Sequence, residues 1–99
     1  MYKIEYAEGT SDDLKSLRAN ERKHILDKID EQLSYEPATK TRNRKPLFGL
    51  KPTWEHLEPV WELRVGEYRV FYDVDETAAL VTIRVIRYKP PHKTTEEII

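Results

Sequence analysis

The stretch Trp61–Lys93, WELRVGEYRVFYDVDETAALVTIRVIRYKPPHK, constrains the fold more tightly than any other part of the chain. It reads as three consecutive strands, because turn-forming residues separate pieces in which apolar and polar residues alternate. Gly66-Glu67 is a natural two-residue turn between Trp61–Val65 and Tyr68–Val74. Such a turn fixes register, so Val65 opposes Tyr68, Arg64 opposes Arg69 and Leu63 opposes Val70. Opposed residues point to the same face, so two guanidiniums lie side by side, where like charges destabilise a sheet. An anion between them would relieve the repulsion, and bidentate arginines suit phosphate.

The rest of the chain supplies what such a sheet needs. Tyr2, Ile4 and Tyr6 alternate with Lys3 and Glu5, which predicts a first strand. Gly9-Thr10-Ser11 ends it, and Thr10 with Asp13, or Ser11 alone, can cap a short helix carrying Leu14 and Leu17. The apolar phase breaks at Arg18-Ala19-Asn20, and Asn20 is a good cap for a second helix. Ile25, Leu26, Ile29 and Leu33 form one stripe on that helix, and Glu36-Pro37 stops it. Residues 38–59 read as irregular, punctuated by Pro46, Pro52 and Pro59, with Phe48 and Leu50 placed to tuck under the sheet. Asp75-Glu76-Thr77 turns the chain into Leu80–Tyr88, whose Val81, Ile83 and Val85 share a face. Pro90-Pro91 ends that strand, and Thr94–Ile99 forms a short terminal helix or stays mobile.

The order β-α-α-β-β-β predicts one α+β domain over 1–99, an antiparallel sheet with an N-terminal helical hairpin packed on one face. The other face of the sheet is left open. Arg64 and Arg69 belong to that open face with Glu62 and Phe71, since they alternate away from Leu63, Val65 and Val70. Glu62 and Asp73 can also neutralise the two arginines as ordinary surface pairs, which are worth little.

The chain has no cysteine, which removes disulfide frameworks and thiolate chemistry. No apolar run is long enough to span a membrane, and MYKIEYAEG lacks a signal-peptide core, so a cytoplasmic location with no membrane partner is the default. The net charge of −1 conceals a segregation. Residues 39–53 carry five basic groups and no acidic one, whereas residues 54–83 carry seven acids against two arginines. Residues 84–93 add Arg84, Arg87, Lys89 and Lys93, with His92, and again no acid. The whole is no generic polyanion binder, but two basic blocks in an acidic chain focus a local positive field. Both blocks also read as plain solvated loops.

His24, His56 and His92 lack metal-ligand spacing, and there is no HExxH, no glycine-rich phosphate loop and no Ser-His-Asp array. No cofactor or metal is expected. His24 sits among charges on the second helix and reads as solvated. An imidazole beside cations titrates near neutrality, so His92 in Lys89-Pro-Pro-His-Lys is a candidate for moving protons, with a plain loop residue as the equal alternative. Tyr72, Tyr88, Trp54 and Trp61 read as packing residues.

WELRVGEYRVFYDVD followed by LVTIRVIRYKPPHK resembles the RelE/ParE toxin superfamily. The likeness extends to the first strand and to the helical hairpin ending Leu33-Ser-Tyr-Glu-Pro, and so covers nearly the whole chain. The resemblance implies a toxin of a type II toxin–antitoxin system, silenced by a cognate antitoxin encoded in the same operon. RelE-type members are ribosome-associated endoribonucleases that cut mRNA (mRNA interferases), whereas ParE-type members poison DNA gyrase. Arg69, in Tyr-Arg-Val-Phe-Tyr, matches the arginine that RelE-like nucleases set against the scissile phosphate. The second functional cluster of the family follows the last strand, a place held here by Arg87, Tyr88, Lys89 and His92. Some RelE nucleases carry lysines on the strand before the turn, where this chain has Val60 and Glu62; Lys51 or the block Arg42–Lys45 are the available substitutes.

These readings converge on a metal-independent mRNA endoribonuclease that blocks translation. Arg69, Arg87, Lys89 and His92 are the candidate catalytic residues, and Arg64, Arg44, Lys45, Lys51 and Lys93 the candidate substrate-binding ones. Glu62 or His56 is the candidate base and His92 or Lys89 the candidate acid. A ParE-like gyrase inhibitor without nuclease activity, or a degenerate toxin that only binds its antitoxin, are the alternatives.

Overall fold

The computed structural model describes all 99 residues. Five strands form one sheet in the order β1-β5-β4-β3-β2, with β1 Lys3–Tyr6, β2 Arg44–Leu47, β3 Val60–Val65, β4 Tyr68–Asp75 and β5 Leu80–Tyr88. Helices α1 (Thr10–Lys15) and α2 (Ala19–Leu33) lie between β1 and β2, and α3 (Thr95–Ile98) ends the chain. The α+β class and the helical hairpin on one face are as expected. Two features refine them. β1 runs parallel to β5, so the sheet is mixed. The segment expected to be irregular also contains β2, which pairs antiparallel with β3 at the sheet edge. Proline is tolerated in an edge strand, which lets Pro46 sit inside β2.

The register around Gly66-Glu67 is the one the turn dictates: Val65 opposes Tyr68, Arg64 opposes Arg69 and Leu63 opposes Val70. Gly66 takes φ +58°, which glycine adopts freely at the first position of such a hairpin. On the helix face, Leu63, Val70, Tyr72, Val81 and Ile83 are fully buried against Ile25, Ile29 and Leu33 of α2. The Tyr72 hydroxyl reaches the Pro37 carbonyl at 2.7 Å, so the ring enters the core with its polar tip satisfied.

The expected grouping of Val81, Ile83 and Val85 does not hold. The β4–β5 register slips by one residue after Phe71: Phe71 opposes Val85, but Tyr72 opposes Ile83. Arg84 is the extra residue of this bulge, and beyond it the faces of β5 exchange. Val85 therefore joins Phe71 and Val60 on the far side, and Ile86 replaces it in the helix-side core. The helix caps also differ from expectation. Gly9, at φ +96°, precedes α1, and Thr10 Oγ1 donates to the Ala7 carbonyl instead of capping. Arg18 is the N-cap of α2, with Asn20 inside its first turn. Arg22 closes the corner by donating to the Leu14 and Leu17 carbonyls at 3.0 and 3.1 Å, which satisfies acceptors at the end of α1.

The face expected to be open is covered. Trp54, from the segment before β3, packs against Phe71 with ring centroids 5.6 Å apart. Leu47, Ile98 and Ile99 pack on the same small cluster of Val60, Phe71 and Val85. Leu47 and Trp54, not Phe48 and Leu50, are the residues that tuck in; Phe48 is 78% exposed. The terminal segment is helical, held by a capping box in which Thr94 and Glu97 bond reciprocally.

Candidate functional site

Alternation on β3 and β4 puts Glu62, Arg64, Arg69 and Phe71 on the covered face. The cover divides that face. Phe71 lies under Trp54, while the arginine end opens into a groove of about 350 Å³ with no hydrophobic residue in its lining. Arg64, Arg69 and Glu62 form its floor, Lys45 of β2 and Lys89 after β5 its sides, and Lys40 and Arg42 its outer rim. Lys45 opposes Glu62 in the β2–β3 register, which is why its ammonium reaches the groove. Glu62 is the one acidic residue among many cations in the groove.

Arg69 is nearly buried at 8% exposure, not the open-face side chain that alternation alone predicts. Its Nη1 donates to the Gly66 and Tyr68 carbonyls at 3.0 and 2.9 Å, which clamps the guanidinium to the hairpin turn. Nη2 has no acceptor within the protein, and Nε stands 4.0 Å from Glu62. Burial pushes the pKa of Arg69 below its ordinary value; the Glu62 carboxylate opposes that shift and the Arg64 charge adds to it. Arg64 is exposed and makes no ion pair, and neither do Lys40, Arg42 or Lys89. A clamped, nearly buried guanidinium beside an exposed, unpaired one is a fitting cradle for a bound phosphate.

Glu62 is 4% exposed and serves three groups. It accepts the Thr95 hydroxyl at 2.6 Å, Lys45 stands at 3.7 Å and Arg69 at 4.0 Å. Asp73, expected to neutralise an arginine of the pair, is instead buried around the bulge. It accepts the Leu57 N–H at 2.9 Å and is bracketed by Arg84 at 2.8 and 3.3 Å. Glu62 alone is therefore left to balance Arg64 and Arg69.

A family model described as the ParE toxin of the type II toxin-antitoxin system, parDE, matches residues 4–89. The chain belongs to this ParE toxin family, within the RelE/ParE superfamily. It is a toxin of the type II toxin–antitoxin class. A search of curated proteins gives no match. Among solved structures, the toxin fold is similar to the isolated Escherichia coli RelE toxin, with a TM-score of 0.71 at 16% identity over 98% of this chain and 94% of the other. It is similar also to the archaeal RelE–RelB complex of Pyrococcus horikoshii, at TM-score 0.68, 22% identity and 94% and 98% coverage. The RelBE2 toxin–antitoxin complex of Mycobacterium tuberculosis matches at TM-score 0.69, 23% identity and 89% and 98% coverage.

Of the site residues the sequence points to in this toxin, Arg64, Arg69, Lys45 and Lys89 meet in the groove. Arg44 borders it, but its side chain is 8% exposed and its Nη1 donates to the Gln32 carbonyl. That carbonyl lies in the last turn of α2, which has no basic residue of its own, so Arg44 closes the helix end. Arg87 stands opposite Arg69 across β4–β5, yet its Nη1 is 3.5 Å from Asp13 at the sheet edge, outside the groove lining. Lys51, His92 and Lys93 do not line the groove; His92 is exposed after the Pro90-Pro91 turn, and Lys93 pairs with Glu97 at 3.9 Å. His56 hydrogen-bonds the Trp54 carbonyl at 2.9 Å within the covering segment and is likewise outside the lining. Sequence reasoning missed Lys40 and Thr95. Lys40 belongs to the basic block whose position became evident only with β2, and Thr95 carries no signal beyond capping propensity near a terminal helix. No cluster of three or more His, Cys, Asp or Glu side chains stands close enough to hold a metal ion.

Proposed function

We propose that this toxin is an endoribonuclease that cuts mRNA on the ribosome, with the basic groove as the seat of the scissile phosphate. The observation that carries this reading is the Arg64–Arg69 pair facing a single carboxylate in a groove otherwise lined by cations and neutral polar groups. The nucleophile is the substrate's own ribose 2′-OH, so the reaction needs no metal to generate one. That hydroxyl attacks the adjacent phosphorus as the bond to the 5′ oxygen breaks, leaving a 2′,3′-cyclic phosphate and a free 5′-OH. Arg69 and Arg64 hold the non-bridging oxygens, where charge grows in the transition state. Glu62 is the groove carboxylate able to accept the 2′-OH proton, and Lys89 the groove cation placed to donate one to the leaving oxygen. Lys45, projecting from β2, supplies a cation of the kind that some RelE nucleases carry on the strand before the turn.

The same groove fits an antitoxin partner. Unpaired cations around one carboxylate invite an acidic segment, and two of the similar solved structures are complexes of a RelE-type toxin with its antitoxin. A second reading, inhibition of DNA gyrase, is favoured by the ParE description of the family model and by the position of His56 and His92 outside the groove.

One experiment separates the two. The toxin is expressed without its operon neighbour, and transcripts are mapped by primer extension beside an assay for gyrase-linked DNA breaks. New 5′ ends inside translated messages, lost with Arg69→Ala, are the expected result. Intact messages with DNA breaks would overturn the nuclease reading in favour of the second.

A further inference from the structure

The groove does not end at Lys45. A second depression of about 350 Å³ shares Lys45 and Thr95 with it and continues along β2 to Leu47, Phe48 and Leu50. A third, about 270 Å³, shares those same three apolar residues and reaches Val60 and Pro59. The trough thus passes from a cationic half to a half floored by hydrocarbon. Phe48 stands over the apolar half at 78% exposure, the most exposed Phe, Trp, Tyr or Leu among the large exposed hydrophobics. Gly49, at φ +79°, turns the chain just after it, a conformation that favours glycine. Burial of a phenylalanine is favourable, and neighbouring Leu47 and Trp54 are partly buried against Val60, Phe71 and Val85. The observation that points to a ligand is this exposed ring lining an apolar depression that shares Lys45 and Thr95 with the cationic groove.

A ligand that matches both halves at once carries anionic groups and flat apolar faces at regular alternation. We propose that single-stranded nucleic acid lies along this trough, with a base stacked on Phe48 and the flanking phosphates over Lys45, Arg64 and Arg69. Stacking on an exposed aromatic beside a basic groove is how single strands are held without regard to sequence, because every base offers a π face. A duplex would keep its bases out of reach of the ring. Glu96 in the second depression and Glu58 in the third do not oppose this, since the group seated on that half is a neutral base. The inference rests on the proposed function for the identity of the strand as RNA, and assigns Phe48 a binding role that the chemistry of cleavage does not require.

The test is fluorescence anisotropy of the full-length toxin with a short, unstructured, end-labelled 2′-O-methyl RNA, which cannot supply the attacking hydroxyl. Phe48→Ala should bind about tenfold more weakly, and Phe48→Trp should bind at least as well as the native chain. The slope of log affinity against log salt should stay unchanged in Phe48→Ala, since the ring neutralises no phosphate, whereas Lys45→Ala should reduce it by about one. An abasic site walked along the oligonucleotide should abolish the difference between the native chain and Phe48→Ala at one position. Binding by Phe48→Ala within twofold of native, with native binding intact, would overturn this inference and leave the proposed function standing. Loss of antitoxin binding with unchanged RNA binding would overturn it too, by giving the ring to a protein partner. A native chain that binds no oligonucleotide at all would overturn this inference as well, while the proposed function is decided separately by transcript mapping. Because the ring is exposed, Phe48→Ala should fold as the native chain does, and its circular dichroism and melting curve provide the check.

Discussion

The two faces of the sheet are built from the same strands by opposite rules. On the helix side, eleven buried residues interlock in one apolar cluster. On the groove side, three buried apolar residues suffice, and the rest of the face is occupied by charge. Period-two alternation hands each strand's odd and even residues to different tasks. The helix side supplies the stability, which allows the groove side to hold a repulsive arginine pair that a self-contained sheet would not keep. The contrast also shows how a guanidinium is held rigid: Arg69 gains its fixity from backbone carbonyls of the turn and from burial, and Arg64, its neighbour across the hairpin, has neither.

The division predicts a graded set of effects. Leu63→Ala, in the middle of the helix-side core, should cost about 2–5 kcal/mol and, at roughly 4–8 °C per kcal/mol for a domain this size, leave a melting transition far below native. A drop of only a few degrees would show that the helix side is not the source of stability. Asp73→Ala should cost about 3 kcal/mol despite lying on the groove side, because it strands Arg84 and the Leu57 N–H. Urea unfolding at unchanged m-value measures it, and a neutral result would mean the bulge holds itself. Arg69→Ala should abolish growth inhibition and also destabilise the fold by about 1–2 kcal/mol, the worth of its bonds to the Gly66 and Tyr68 carbonyls. A variant that folds and remains toxic would remove Arg69 from the active groove.

Smaller effects sharpen the picture. Burial, and secondarily the charge of Asp30, pushes the Tyr6 phenol from 10.0 up to about 12, and burial raises Tyr72 as well. Both groups are protonated when folded, so their contribution is intact below pH 10 and is lost as pH rises from there through the folded values. Melting temperatures between pH 9 and pH 12 should fall more steeply for the native chain than for Tyr6→Phe. Smallest in stability is Arg64→Ala, expected within about 0.5 kcal/mol, because the side chain is exposed and unpaired. Its effect should appear in function and not in the fold, as slower cleavage, a severalfold loss of RNA affinity and a salt slope shallower by about one.

What the sequence reveals follows the range of the interactions involved. The Arg64–Arg69 pairing was legible because a two-residue turn decides it locally. Of the helix stripe Ile25, Leu26, Ile29 and Leu33, the period correctly declares Ile25, Ile29 and Leu33 as buried, while Leu26 stays half-buried at the margin. The burial of Arg69 was not legible, since its guanidinium folds back onto the Gly66 and Tyr68 carbonyls, and alternation says nothing of where a long side chain folds. β2 was hidden by its length of four residues and by Pro46. Residue types alone could not separate Arg44, which closes a helix end, from Lys45, which enters the groove; one step along an edge strand decides between them.

The bulge at Arg84 works like a frameshift in a message. Upstream, Val81 and Ile83 are read on the helix side; downstream, Val85 and Arg87 are read on the groove side, although all four are odd-numbered. Arg87 stands across from Arg69 only because one residue was inserted between the two reading frames. Were Arg84 to enter the ladder as a regular residue, Val85 and Arg87 would turn toward the helices and Ile86 toward the cations; excising it would instead leave Val85 opposite Phe71 and Arg87 opposite Arg69 and take away the partner of Asp73. In this chain the place at which one residue stands out of the ladder decides which half of β5 faces which side of the sheet.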